Sequence, residues 1–167
     1  MAIRQNKSLE NKRRFRFIVS ACLAGVNCSF DGKNRYRRLV KRLVDSGQAI
    51  AVCPEVLGLS SVPRERCEIS GGDGADVLAD RAKVLTASGK DITGRMVRGA
   101  KRTLSIAKRA GVVEAILKSK SPSCGFGKIY DGKFTGKLIT GNGVTSALLS
   151  KHKIVIHNEE EMRYAGE

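Results

Sequence analysis

Four short runs constrain this chain more than any other feature: residues 16–21 (RFIVSA), 49–53 (AIAVC), 112–117 (VVEAIL) and 153–157 (KIVIH). Runs this short and this apolar read as strands, and AIAVC, apolar throughout, as one covered on both faces. The segments between them carry helical spacing. Over about 34–46, Tyr36, Leu39, Val40, Leu43 and Val44 share one face, and Gly47 sits where a C′ glycine would end the helix. Thr93 is placed to N-cap a helix reaching Ala110, with Met96, Ala100, Leu104 and Ala107 inward and Gly111 terminating it. A last helix is expected over about 143–152, with Val144, Ala147 and Leu148 aligned. Pro54–Gly74 reads as irregular, Lys83–Thr86 as a short extended piece, and 125–143 as a glycine-studded loop. Strand and helix in alternation imply an α/β fold, a Rossmann-like three-layer domain with a mostly parallel sheet of about four to five strands.

No repeat or linker interrupts the pattern. The expected organisation is a basic leader over 1–15, a single domain over 16–158 and a tail over 159–167. No apolar run approaches the roughly 20 residues that span a bilayer. The N-terminal MAIRQNKSLENKRRFR has no apolar stretch behind its charges, so no secretory signal is read. A cytoplasmic protein without a membrane partner is expected. The net charge of +15 points to anionic partners: nucleic acid, nucleotides or an acidic surface. Part of it is concentrated at the N-terminus, where Arg4, Lys7, Lys12, Arg13, Arg14 and Arg16 face Glu10 alone, and a solvated basic leader explains it. Aromatic residues make up 5% of the chain and Trp is absent, which argues against a broad base-stacking platform.

Five cysteines need an account. An odd number cannot all pair, and a reducing compartment disfavours structural disulfides. Buried apolar thiols, a metal or cluster site, and a catalytic nucleophile remain. Cys22, Cys53 and Cys124 each fall at or just past the end of an expected strand. Ligands of open α/β sheets bind beyond the carboxyl ends of the strands, so these three residues are expected to converge on one crevice. They would make a poor structural zinc site, which normally shows paired C-x₂₋₄-C knuckles and four ligands. A cubane on three thiolates is chemically reasonable and leaves one iron open. On spacing alone, buried inert thiols stay the favoured reading.

Ser20-Ala21-Cys22-Leu23-Ala24-Gly25-Val26-Asn27-Cys28-Ser29-Phe30-Asp31-Gly32 resembles the opening motif of a bacterial family whose characterised members are thiouracil desulfidases. Val52-Cys53-Pro54-Glu55-Val56-Leu57-Gly58 resembles its second motif. Pro63-Arg64, Glu68-Ile69 and Gly71-Gly72-Asp73-Gly74 resemble the next segment, and Leu117-Lys118-Ser119-Lys120-Ser121-Pro122-Ser123-Cys124-Gly125 the third cysteine motif. Ile129-Tyr130-Asp131-Gly132 and Gly141-Asn142-Gly143-Val144-Thr145 complete a likeness that covers about 16–158.

The resemblance implies a [4Fe–4S] cluster held by Cys22, Cys53 and Cys124, with the fourth iron taking the sulfur of a thiocarbonyl substrate. Glu55 and Ser121 match positions implicated in proton transfer and substrate handling. The implied reaction is hydrolytic, non-redox conversion of C=S to C=O in a thiolated pyrimidine, as base, nucleoside or nucleotide. Gly141–Thr145 is a candidate source of N–H donors for the substrate, with an ordinary helix start as the equal alternative. Lys118 and Lys120 are candidates for attracting a phosphate. Cys28 is expected to be structural and Cys67 a bystander. Ser119 and Ser123 are read as loop formers, and His152 and His157 as surface or packing residues. An RNA-binding module with a structural cluster, acting on thiolated RNA, is the alternative that the charge supports. A sulfur-trafficking protein is a third, weaker reading. Longer relatives with an added domain act on thiolated tRNA; a chain that stops near 167 is expected to take a small substrate.

Overall fold

The computed structural model describes residues 15–164, so the leader, Phe15 apart, lies outside the described residues. The chain begins with β1 (Phe17–Ser20), a 3-10 turn (Ala21–Ala24), α1 (Arg38–Asp45), β2 (Ala49–Val52) and α2 (Pro54–Leu57). Next come β3 (Cys67–Ser70), α3 (Gly74–Leu78), β4 (Lys83–Thr86), α4 (Thr93–Arg109) and β5 (Glu114–Leu117). β6 (Lys128–Tyr130), β7 (Leu138–Thr140), α5 (Val144–Lys151), β8 (Val155–Asn158) and a 3-10 turn (Glu161–Tyr164) complete it.

The four apolar runs form one sheet in the order β2-β1-β5-β8, with every neighbouring pair parallel. Phe17 pairs with Ala49 on one side and Glu114 on the other, and Glu114 pairs with Val155. Side chains alternate across a strand, so one sheet feeds two cores. Phe17, Val19, Ala49 and Ile116 pack with Val40 of α1 on one face. Ile18, Val52, Ala115 and Leu117 pack with Met96, Ala100, Leu104 and Ala107 of α4 and with Val144, Leu148 and Leu149 of α5 on the other. The result is the expected three-layer α/β architecture. No described helix is long and apolar enough to cross a membrane.

Several local expectations are corrected. The helix read over 34–46 starts only after Arg37, because the amides of Arg35 and Arg37 donate to Cys22 O and Leu23 O, both at 2.8 Å. Tyr36 therefore lies outside the helix and half exposed, and Leu39 is exposed as well. Ile92, not Thr93, caps α4. Thr93 is its first residue, and its hydroxyl accepts from Val84 N at 3.0 Å. The stretch read as irregular holds α2 and β3, and the glycine-studded loop holds the β6–β7 hairpin. Lys83–Thr86 is extended as expected and pairs antiparallel with β3.

Candidate functional site

Three parallel strands end side by side, and each delivers a cysteine. Cys22 lies in the 3-10 turn after β1, and its carbonyl accepts from the amides of Gly25 and Arg35. Cys53 follows β2 and caps α2, whose first residue is Pro54, a favoured N1 residue because its missing N–H would be unsatisfied there. Cys124 sits in the buried loop after β5, next to the end of β1, where Ser20 Oγ accepts from Lys118 N at 3.0 Å.

The three converge on a single cavity of about 280 Å³, whose wall also includes Cys28, Glu55 and Arg64. α2 is held at its place by backbone contact with α4. A Cβ added at Gly99 would run into Pro54 O, and one at Gly58 into Arg95 O, so only glycine permits this approach. The Cys124 loop is fastened by α5. Val144 N donates to Pro122 O at 2.9 Å and Thr145 N to Ser123 O at 2.8 Å, and the buried Ser123 and Thr145 hydroxyls bond to each other at 2.9 Å. Ser146 Oγ also donates to Gly125 O.

The start of α5 therefore serves the cysteine loop. Gly141–Thr145 does not offer free amides to a substrate: Gly141, Gly143, Val144 and Thr145 all donate to backbone carbonyls, and Asn142 N donates to Asp73 Oδ2. Lys118 and Lys120 are likewise engaged, with Glu159 at 3.4 Å and Glu160 at 2.9 Å. Ser119, expected to tie down backbone, is itself held by a carboxylate: its N and Oγ donate to the buried Glu159, at 2.6 and 2.9 Å. His157 bonds to Glu114 at 2.8 Å, and neither histidine lines the cavity.

Ser121 Oγ accepts from Ser123 N and Cys124 N, both at 3.1 Å, and its own proton has no acceptor among the described residues. Glu55 Oε2 accepts from Arg64 Nε at 2.6 Å, in a pair whose side chains are about nine-tenths buried. Arg64 Nη1 reaches on to Cys28 O at 3.0 Å and Ser61 O at 3.2 Å. Glu55 Oε1 has no donor among the described residues.

The Cys28 thiol lies between Cys22 and Cys53. Hydrogen bonding with Cys28 is the main cause lowering both neighbours, Cys53 to about 7, and the same pairing raises Cys28. Burial raises Cys124. Cys67, expected to be a bystander, also lines the cavity, and burial together with the Glu55 charge pushes it up to about 12. Sequence reasoning gave no role to Arg64, although Pro63-Arg64 stood among the motifs. It left Glu159 in the tail, where no local signal marks a residue reaching back forty positions.

Such a site defines an α/β protein whose sheet gathers thiols and an ion-paired carboxylate at its carboxyl edge. The chain belongs to the 2-thiouracil desulfurase family, whose sequence profile matches residues 17–161. It is 47% identical over 144 residues to the uncharacterized protein YbbK of Bacillus subtilis (strain 168), covering 85% of this chain and 95% of that one. It is also similar to the solved structure of the [4Fe-4S]-dependent thiouracil desulfidase TudS. That likeness has a TM-score of 0.78 and 37% identity, and covers 89% of this chain and 93% of the other.

Proposed function

We propose that this protein is a [4Fe–4S]-dependent thiouracil desulfidase that replaces the sulfur of a thiolated pyrimidine by oxygen, with Cys22, Cys53 and Cys124 as cluster ligands. The observation that carries the reading is the meeting of these three thiols with Glu55 and Ser121 in one cavity. The donor set fits a cluster better than a lone ion. Cysteine thiolates are the usual ligands of iron–sulfur clusters, and three of them meet here without the paired knuckles of a structural zinc site. When bound, the cluster supplies an iron without a protein ligand, a soft Lewis acid suited to a thiocarbonyl sulfur.

The residues of the chain supply the proton transfers. Glu55, oriented by Arg64, takes a proton from the water that adds at the C=S carbon and passes it to the sulfur. It then relays the second proton in the same way, as the added hydroxyl becomes C=O and the sulfur departs. The Ser121 hydroxyl, whose proton is uncommitted, hydrogen-bonds to a ring heteroatom of the substrate and keeps that proton. Water and C=S become C=O and hydrogen sulfide, so no electron is gained or lost. Base, nucleoside and nucleotide all present the same reacting group.

The test is anaerobic purification with iron and sulfide analysis, followed by assay on 2- and 4-thiouracil and their nucleosides and nucleotides. Protein that stays colourless after anaerobic reconstitution would refute the cluster. Brown protein that releases no sulfide from any of these compounds would refute the activity. Glu55→Gln is expected to retain iron and sulfide while losing roughly 10²-fold or more in turnover. Unchanged turnover would remove Glu55 from the reaction.

A further inference from the structure

α4 carries Arg95, Arg98, Lys101, Arg102, Lys108 and Arg109, and no acidic residue between 93 and 109. All six cations are exposed, while Met96, Gly99, Ala100, Thr103, Leu104 and Ala107 are buried. At 3.6 residues per turn the six fall within a sector of about 140°, and Arg95 to Arg109 spans about 21 Å of helix axis. None of them takes part in an ion pair among the described residues. The acids near this helix are engaged elsewhere: Asp91 with Lys83, Asp76 with Arg81, Glu55 with Arg64. Like charges three and four positions apart repel along a helix. A face built this way without counter-charge complements an external polyanion.

The stripe also has a direction. The N-terminal half of α4 meets α2 through Gly58 and Gly99, and Arg102 Nη1 donates to Leu57 O at 2.6 Å. α2 opens at Cys53 and carries Glu55. The cationic helix is therefore joined to the cavity wall through α2, lines none of that wall itself, and presents its charges along the flank of the domain.

We propose that the outer face of α4 docks a single-stranded polyribonucleotide, gripping its phosphates while a thiolated base enters the cavity. The inference rests on the desulfidase reading, because a site for a nucleobase beside a stripe for repeated phosphates is complementary to one molecule. A membrane surface fits less well. An interfacial helix buries its apolar face in lipid, and the apolar face of α4 is already committed to the core. α4 has no aromatic residue, so the grip is on the backbone and independent of sequence.

The test uses the full chain, loaded anaerobically, and labelled oligoribonucleotides of about 20 residues with and without one 2-thiouridine. Fluorescence anisotropy is followed across salt concentrations. The variant R98E/K101E/K108E/R109E is compared with K133E/K137E/K151E/K153E, which changes net charge equally on exposed positions elsewhere. The α4 variant is expected to lose at least about tenfold in affinity, with the slope of log K against log salt reduced by about 2 to 3 for four lost contacts. The matched variant should lose under about threefold. Both should turn over free thiouracil normally, which also reports that they fold, and only the α4 variant should show a raised KM on the thiolated oligonucleotide. Equal losses in the two variants, unchanged affinity in the α4 variant, or wild-type protein that binds anionic phosphatidylserine vesicles but not the oligonucleotide would each overturn the proposal. Wild-type failure on free thiouracil would refute the desulfidase reading instead, and anisotropy would still decide the docking face.

Discussion

Ser121 and Arg64 act on the site by holding other groups where they are. Ser121 Oγ accepts two amide protons that the Cys124 loop would otherwise leave without a partner. Ser121→Ala is expected to cost about 1–2 kcal/mol in urea denaturation and to reduce iron content as well as turnover. A variant that keeps full stability and full iron but loses activity would assign Ser121 to the substrate alone. Arg64 uses a fork that lysine cannot copy, with Nε on Glu55 and Nη1 on two carbonyls. Arg64→Lys should therefore cost about 1–3 kcal/mol and slow turnover at unchanged iron content. The cysteines could be placed from the sequence because each follows a strand. The Arg64 contacts with Glu55 and Cys28 could not, since these lie 9 and 36 positions away and only the tertiary fold brings them near.

The contact between α2 and α4 rests on two glycines. Gly99→Ala or Gly58→Ala would force the helices apart and displace Cys53, costing about 1–3 kcal/mol, the range for overpacking. Both variants are expected to purify with less iron. Gly94, on the same helix with nothing near its Cβ position, is the control, and Gly94→Ala should be neutral or stabilising by up to about 1 kcal/mol in thermal melts. Much at this scale was legible in the sequence. The four buried strands announced themselves as apolar runs, and α4 by its inward face. β3 escaped because the buried Glu68 interrupts its pattern, and its carboxylate is used to accept from Phe134 N at 3.0 Å. β6 and β7 escaped because three-residue strands are too short to show a period. α3 was hidden in a glycine run, although Asp73 and Asp76 form a capping box there.

Over the whole molecule the surface carboxylates set the acid limit of stability. Hydrogen bonds from Thr93, followed by Lys83, lower Asp91 to about 2. Arg16 first and His157 second lower Glu114, and Lys120 lowers Glu160. A carboxyl lowered in the folded state stabilises fully above its unfolded value near 4 and loses that contribution as pH falls through the folded one. Melting temperature is therefore expected to be flat from about pH 7 to 5 and to decline from about pH 4 to 2. A net charge of +15 adds self-repulsion as these acids protonate, so added salt should soften the decline. A melting temperature that rises on acidification would contradict the assignment of these pairs.

The strand order also bears on how the protein is made. Cys22 and Cys53 are on adjacent strands, but β5, which leads to Cys124, pairs with β1 on its other side and is flanked in turn by β8. The loop around Cys124 is fastened in part by α5, which emerges from the ribosome later still. A nascent chain therefore has no complete thiol crevice until α5 has emerged. Iron and sulfide therefore meet all three thiols together only once α5 has packed against the Cys124 loop.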